Sequence, residues 1–203
     1  MQMRLFRSRQ FCLSMVCCML LYIIVMSTSV LGPMCFQMGL GYSAAESGFI
    51  MVPGTLLVAV LSPVFGGLYD RHDMRWMVVI LSLVMFLSNF LMFYIDHDTP
   101  YLWLVFLGVL RGIGGAIMMP FTAWAVNSVE PRYKSDATSL NNAFRTLASA
   151  AGLAVFVGVF DSVAIGSTYL DGACQAFLLI SLMSIIMLVL GLFSRKNTAE
   201  KVD

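Results

Sequence analysis

The sequence predicts an all-α integral membrane protein with six transmembrane helices and both termini in the cytoplasm. Three observations predict this fold class: the composition, the length of the apolar runs and the placement of the basic residues. Hydrophobic residues make up 60% of the chain and charged residues 11%, whereas soluble domains carry about 25% charged residues. Because a spanning helix takes about 20 residues, the 203 residues leave room for about six spans and no sizeable soluble domain.

Six apolar runs divide a single transmembrane domain, residues 1–203. The predicted spans are 11–32, 47–69, 76–95, 101–126, 137–160 and 172–194. The first run follows Arg4, Arg7 and Arg9, as the apolar region of a signal peptide would. It is about twice the usual ~7–15 residues of such a region and has no small-residue cleavage pattern, so it predicts a retained span.

Two later spans contain residues that bear on how their helices form. Pro53 and Pro63 lie inside the second span. Proline is tolerated there when neighbouring helices and polar groups satisfy the freed carbonyls. At the start of the fifth span, Ser135 or Asp136 is placed to cap the helix, and an acidic residue suits the helix dipole at that end.

Lysine and arginine are confined to alternate loops. With the N-terminus in the cytoplasm, the inner segments hold Arg4, Arg7, Arg9, Arg71, Arg75, Arg132, Lys134, Arg195, Lys196 and Lys201. The outer segments, residues 34–46, 96–100 and 161–171, hold none. By the positive-inside rule, this asymmetry predicts that both termini are cytoplasmic. The two remaining basic residues, Arg111 and Arg145, lie inside spans.

Arg111 lies near the middle of the fourth span. It follows Tyr101 by ten residues, hence ~15 Å at a rise of 1.5 Å per residue, which is about the midplane of a ~30 Å core. Charged residues at this depth are costly and usually functional, so we predict that Arg111 faces a cavity. The alternative is structural: Arg111 caps carbonyls freed near Pro120 or pairs with another helix. Gly108 and Gly112 flank it as a small-xxx-small pair, which favours close helix packing.

Arg145 lies on a polar stripe of the fifth span. Asn141, Arg145 and Ser149 are spaced at i, i+4 and i+8, with Asn142 alongside. As a charged residue inside a span, Arg145 is a candidate functional residue. Arg145 lies ~12 Å from the cytoplasmic end of its helix, and helix side chains lean toward the N-terminus. The alternative is therefore that Arg145 snorkels to the cytoplasmic headgroups.

The acidic residues all lie in loops or at helix ends. They are Glu46, Asp70, Asp73, Asp96, Asp98, Glu130, Asp136, Asp161, Asp171, Glu200 and Asp203. Arginine does not titrate in proteins, so the chain lacks its own proton carrier inside a span. The two intramembrane arginines therefore need counter-charges, either from a missing partner or from substrate.

The loop between the second and third spans, GGLYDRHDMRW, resembles the G-x-L-a-D-r-x-G-r-k signature of the major facilitator superfamily. The matching positions to which this resemblance assigns a conformational latch are Gly66, Asp70, Arg71 and Arg75. Leu68 matches as well, whereas Asp73 stands where the family usually has glycine and Met74 where it usually has a basic residue. In that family the aspartate is thought to pair with neighbouring helix ends and arginine. The alternative is an ordinary charged turn.

Other segments resemble the 14-helix drug/proton antiporters of this superfamily, the EmrB/QacA group. These are TSLNNAFR followed by AGLA, and MMPFTAW. Arginine followed by a glycine pair, as at Arg111, resembles a motif in which a cavity-facing arginine supports proton coupling. The resemblance runs from about Leu13 to Phe193 and implies the C-terminal six-helix half of such a fold, similar to spans 9–14. The residues assigned to a substrate or coupling cavity are Arg111, Asn141, Asn142, Arg145, Met118 and Met119, with Phe121 and Trp124 as further residues of an adaptable lining.

The function that the resemblance implies is proton-coupled multidrug efflux by alternating access. It implies no cofactor, because the proton gradient supplies the energy. The implied partners are the lipid bilayer, small amphipathic or hydrophobic substrates, and either a missing N-terminal half that carries the acids or a second copy of the chain. The implied location is the bacterial cell membrane, as a multi-pass protein.

Two other functions stay open: a half-size transporter acting as a homodimer, and a non-transporting membrane scaffold or assembly subunit. An enzyme is not predicted, because no span offers a nucleophile–base pair or a metal cluster. A nucleic-acid partner is not predicted, because the net charge is only +1 and no basic patch is present. A disulfide between Cys35 and Cys174, near the outer ends of two spans, is left open by the sequence.

Overall fold

The computed structural model describes residues 9–71, 74–129 and 131–192. Its helices are α1 (Arg9–Met34), α2 (Ala44–Arg71), α3 (Met74–Phe93), α4 (Tyr101–Ala116), α5 (Met118–Asn127), α6 (Lys134–Gly166) and α7 (Tyr169–Leu192). A π-helical segment, Cys35–Gly39, extends α1, and a 3-10 turn, Pro131–Tyr133, precedes α6. These ranges contain no strand, and six helical stretches are long and apolar enough to cross a membrane. The predicted all-α fold with six spans is confirmed.

Pro33 shapes the end of the first span. Because proline has no N–H, the carbonyl of Ser29, four residues earlier, has no helical donor. The helix then widens into the π-helical segment Cys35–Gly39, where Leu40 N donates to the Cys35 carbonyl at 3.0 Å. The first span therefore continues to Gly39 rather than ending at residue 32.

Side-chain caps begin α2 and α7, both on the side predicted to be outside. Ser43 N donates to a Glu46 carboxylate oxygen at 2.8 Å, and Glu46 N donates to Ser43 Oγ at 3.3 Å. Thr168 and Asp171 form the same reciprocal pair at the start of α7. In such a capping box each side chain satisfies a backbone N–H that the helix itself leaves without an acceptor.

The bounds of α6 differ from the prediction at both ends. Its N-cap residue is Tyr133, which makes no side-chain cap hydrogen bond, so the predicted cap by Ser135 or Asp136 is wrong. Those two residues lie in the first turn, where the Asp136 carboxylate still suits the helix dipole. The helix ends at Gly166 rather than near residue 160. One polar pair, Asp161 and Ser162, does not end a helix whose next residues are again apolar.

The fourth span, predicted over 101–126, is built from two helices rather than one. α4 ends at Ala116, and Ile117 (φ −90°, ψ −1°) separates it from α5. Pro120 explains the break, because it cannot donate to the carbonyl of Ala116 four residues earlier. The glycine pair that precedes the break has low helix propensity and adds to this effect.

The helices differ in how much of their surface is covered by neighbouring helices. α1 lies against α6 and α7, α3 against α7 and α4, and α2 against α4. Large side chains that are fully buried fill the core, among them Trp124, Phe121, Phe160, Phe177 and Leu21. In α2 and α6 only 11% of the apolar stretch is buried, against 33–50% in the other spans. These two helices therefore present apolar faces that the described part of the chain leaves uncovered.

Candidate functional site

Gly54 on α2 and two glycines of α4 let these helices cross backbone against backbone. A methyl group added at Gly54 would overlap the carbonyl of Gly108, and one added at Gly112 would overlap the carbonyl of Gly54. Added at Gly108, it would lie 3.0 Å from the Ile50 carbonyl oxygen. Gly108 and Gly112 are the predicted small-xxx-small pair, and Gly54 is the partner that the sequence did not identify.

Arg111 lies at this crossing, and its side chain reaches α1. Nη1 of the guanidinium donates a hydrogen bond to the backbone carbonyl of Thr28. Gly32, one turn further along α1, leaves room for the guanidinium, because a Cβ added there would lie 3.0 Å from Arg111 Nη1. Pairing with another helix was the structural alternative for Arg111, and this hydrogen bond provides such a pairing.

Arg111 also lines a cavity of about 120 Å³ between α1, α2, α3 and α4. Its apolar wall includes Val25, Phe36, Met51, Val58, Met92 and Leu107. Besides Arg111, the polar side chains that line it in the described part of the chain are Ser29, Thr55 and Ser88. Ser29 and Thr55 are exposed and mark its mouth, whereas Ser88 is 1% exposed and its hydroxyl has no hydrogen-bond partner.

Arg145 on α6 is held by α1 and α5. Its Nη1 donates to the Tyr22 hydroxyl and, at 3.1 Å, to Thr122 Oγ1. Its Cζ lies 4.4 Å from the centre of the Tyr22 ring, within the range of a cation–π interaction. The guanidinium therefore reaches across the bundle instead of snorkelling to the cytoplasmic headgroups. Neither Tyr22 nor Thr122 carries a signal in the sequence that marks it as a partner of Arg145.

The asparagines of the polar stripe differ in exposure. Asn141 is fully buried, and neither its side-chain nitrogen nor its oxygen has a hydrogen-bond partner. Asn142 is exposed, and Ser149, two turns beyond Asn141, is buried. Among the described residues that line the cavity at Arg111, neither asparagine occurs.

The residues predicted as an adaptable lining also lie in different places. Met119 is 75% exposed, and Met118 is half-buried against the core. Phe121 and Trp124 are fully buried, with ring centres 6.0 Å apart in an edge-on contact. The prediction that these two aromatic residues line a pocket is corrected: they fill the core, because they lie on the buried face of α5 with Pro120 and Ala125.

Neither intramembrane arginine bonds to a carboxylate among the described residues; their partners are Thr28, Tyr22 and Thr122, all neutral. The described acidic side chains, in loops or within two turns of a helix end, are Glu46, Asp96, Asp98, Asp136, Asp161 and Asp171. No group of three or more His, Cys, Asp or Glu side chains in these ranges could hold a metal ion. A cation held only by neutral dipoles favours a negatively charged ligand or partner group.

The predicted latch falls largely outside the described part of the chain. The side chains of Asp70, Arg71 and Arg75 lie outside the described residues. Gly66 lies in α2, and a methyl group added there would meet nothing within 4 Å.

A hydrogen-bonded chain joins the C-terminal ends of α2 and α5 to the N-terminal end of α6. Lys134 Nζ donates to Asn127 Oδ1 at 2.8 Å, and Asn127 Nδ2 donates to the Tyr69 hydroxyl at 3.3 Å. These residues were not singled out from the sequence, because polar residues at helix ends are common in membrane bundles.

At the end of the bundle that is predicted to be outside, Cys35 and Cys174 are free thiols. The Cys174 thiol donates to the Ile95 carbonyl at 3.7 Å. The disulfide that the sequence left open is therefore not formed in this structure.

Comparison with known proteins gives the family. The profile described as Major Facilitator Superfamily matches residues 2–153. Lincomycin resistance protein LmrB of Bacillus subtilis is 28% identical over 100% of this chain and 45% of LmrB. Multidrug export protein EmrB of Escherichia coli is 28% identical over 74% of this chain and 30% of EmrB. Fatty acid resistance protein FarB of Neisseria gonorrhoeae is 29% identical, also over 74% of this chain and 30% of the relative.

The chain spans less than half the length of these curated relatives, between 30% and 45%. Their names describe resistance and export, and the family consists of transporters, so the prediction of a non-enzymatic protein is confirmed. The family profile covers well over half of the chain. The chain therefore belongs to the Major Facilitator Superfamily of multi-pass membrane transporters.

Proposed function

We propose that the chain is the C-terminal six-helix half of a proton-coupled efflux transporter that works by alternating access. The observation that carries this proposal is the pair of intramembrane arginines, Arg111 and Arg145, each bonded only to neutral groups among the described residues. A proton antiporter also needs a titratable group in its transport path. Since the acidic side chains that the structure describes lie in loops or near helix ends, we infer that a partner half supplies the proton carriers.

The uncovered faces of α2 and α6 support such a partner half. These two helices are the least buried of the spans, and Leu56 and Leu147 are examples of their exposed apolar side chains. Transporters built from two bundles place the substrate site near the midplane between them. Asn142, on the exposed face of α6, would then face the second bundle.

The proposed substrates are small amphipathic or hydrophobic molecules, exported across the bacterial cell membrane. The relatives are named for resistance to lincomycin, for multidrug export and for resistance to fatty acids. The cavity at Arg111 has a mostly apolar wall and one cation, which suits a ligand that combines an apolar body with a polar group.

An efflux assay tests this function. Export of Nile red, an uncharged amphipathic dye, is measured in cells that lack their own multidrug exporters and express this chain together with the N-terminal bundle of LmrB. We expect export that a protonophore abolishes. Arg111→Ala should abolish export at an unchanged membrane level, whereas Arg132→Ala, at an exposed loop residue, should retain it. Asp70→Asn should also abolish export if the latch operates, with Asp73→Asn as the matched control in the same loop.

The same assay separates the alternatives. Export by this chain without the second bundle would favour the homodimer. No export in either case, with Arg111→Ala lowering only the thermal stability, would favour the scaffold and contradict the proposed transport.

A further inference from the structure

We propose that the cavity at Arg111 binds a carboxylate, the headgroup of an amphipathic substrate, with Ser88 as a second hydrogen-bond donor. This inference rests on the proposed function and deepens it by naming the substrate class. It concerns a pocket walled by four helices of this chain, so the binding step can be measured without a partner half.

The charge of the cavity selects the ligand. A guanidinium has five N–H donors, and one of those of Arg111 is used by the Thr28 carbonyl. Among the described residues that line the cavity, no aspartate or glutamate balances this cation. Arginine suits a carboxylate in particular, because its planar fork can donate two parallel hydrogen bonds to the two oxygens.

Ser88 supplies independent evidence for a polar ligand. Its side chain comes from α3, is 1% exposed, lines the same cavity and has no hydrogen-bond partner. A buried hydroxyl without a partner is destabilising, and its presence calls for a specific explanation. A ligand that accepts hydrogen bonds from both Arg111 and Ser88 satisfies the two groups at once.

The size and the walls of the cavity indicate the rest of the ligand. A volume of about 120 Å³ is somewhat smaller than an engineered apolar cavity of about 150 Å³ that binds benzene. It therefore holds a carboxylate and the first few methylene groups, which would contact apolar residues such as Met51, Val58 and Met92. The mouth at Ser29 and Thr55 leaves a path for the remainder of an alkyl chain.

Binding to the purified full chain in phosphatidylcholine nanodiscs tests the proposal. Three probes distinguish the contribution of the carboxylate charge from that of the alkyl chain. They are sodium decanoate, decanamide with the same alkyl chain but no charge, and acetate with the charge but no long alkyl chain. After subtraction of protein-free nanodiscs, we expect saturable decanoate binding at least about tenfold tighter than that of decanamide. Acetate binding as tight as that of decanoate would support the anion site but assign it to a free small anion.

Variants attribute the binding to the site. Arg111→Gln should remove the preference for decanoate over decanamide, and Ser88→Ala should weaken decanoate binding about fivefold. Ser27→Ala is the matched control, because Ser27 is equally buried with an unpartnered hydroxyl but does not line the cavity. If Arg111→Gln fails to fold, the two serine variants still decide. Equal binding of decanoate and decanamide, or equal effects of the two serine variants, would overturn the proposal.

Failure of this inference differs from failure of the transport function. Carboxylate binding without export of any compound would contradict the transport function and leave the binding site in place. Export of Nile red by cells, with no carboxylate preference in nanodiscs, would contradict the carboxylate site and leave the transport function in place.

Discussion

The carbonyl group of Gly54 on α2 occupies the place that a side chain at position 112 of α4 would need. Gly54 and Gly112 therefore act as a pair, and both line the cavity that contains Arg111. Because lipid offers no hydrophobic drive for helix association, close backbone packing of this kind is a main source of helix–helix affinity in membranes.

We expect Gly112→Ala to destabilise the chain by about 1–3 kcal/mol, as overpacking does, despite a gain of about 1 kcal/mol in helix propensity. Thermal unfolding of the purified chain in detergent measures this effect. Gly48→Ala, at a glycine of α2 with nothing within 4 Å of an added methyl group, is the control and should leave the melting temperature unchanged or raise it. Equal shifts for the two variants would show that α2 and α4 do not meet at Gly112.

Tyr22 holds the Arg145 guanidinium through two interactions, a hydrogen bond to its hydroxyl and a cation–π contact with its ring. Two variants separate these contributions. Tyr22→Phe removes the hydroxyl that accepts from Arg145 and should cost about 1.5–3 kcal/mol, the range for hydrogen bonds to charged groups. Tyr22→Leu also removes the ring beneath the guanidinium, so a further loss of about 0.5–2 kcal/mol is expected. Melting temperatures should fall in the order wild type, Tyr22→Phe, Tyr22→Leu.

Tyr94→Phe provides the comparison, because Tyr94 is exposed and its ring contacts Phe90 and Phe93 rather than a cation. Tyr94→Phe should have the same melting temperature as the wild type. If the melting temperature of Tyr22→Phe also equalled that of the wild type, Arg145 would be held by Thr122 or by groups other than the Tyr22 hydroxyl.

The two intramembrane arginines show which features of the candidate site can be predicted from the sequence and which cannot. Depth along a helix follows from counting residues, so the intramembrane position of Arg111 and Arg145 could be predicted. Their partners could not. Tyr22 is 123 residues from Arg145, and helical periodicity defines a face but not the helix that meets it. Arg111 donates to a backbone carbonyl, a group that every residue carries and that no residue type marks.

The break within the fourth span is a second feature that could not be predicted from the sequence. Hydropathy depends on composition over a window, so it detects the apolar stretch over 101–126 but not a turn within it. Pro120 was visible in the sequence, yet proline kinks some membrane helices and is accommodated in others. Pro53 lies within the continuous α2, whereas Pro120 follows a glycine pair and accompanies a break. Their different outcomes depend on neighbouring helices, which the local sequence does not specify.

The orientation predicted from the basic residues is tested by cysteine labelling. After replacement of the native cysteines by alanine, Asp98→Cys and Arg132→Cys introduce single thiols at exposed positions. The positive-inside rule places residue 98 outside and residue 132 in the cytoplasm. A membrane-impermeant maleimide should therefore label Asp98→Cys in intact cells and Arg132→Cys only after permeabilisation. The opposite pattern would reverse the orientation of the whole bundle.

Asn141 gives the prediction that most directly links stability and function. Its side chain is fully buried, and both of its polar atoms lack hydrogen-bond partners. A buried polar group without a partner costs about 1–3 kcal/mol, whereas leucine has a similar size and no such groups. We therefore expect Asn141→Leu to raise the stability of this chain by about that amount, measured by thermal unfolding in detergent.

Asn142→Leu is the matched control for Asn141→Leu. Asn142 is the next residue of α6 but is exposed, so its substitution should change stability by less than about 0.5 kcal/mol. A lower melting temperature for Asn141→Leu would mean that the amide has a partner, such as an ordered water. If the Asn141 amide serves transport, as the family resemblance implies, the stabilised variant should export less Nile red in the two-bundle assay. Increased stability with reduced export is the outcome expected of a polar group kept for its function at a cost to the fold.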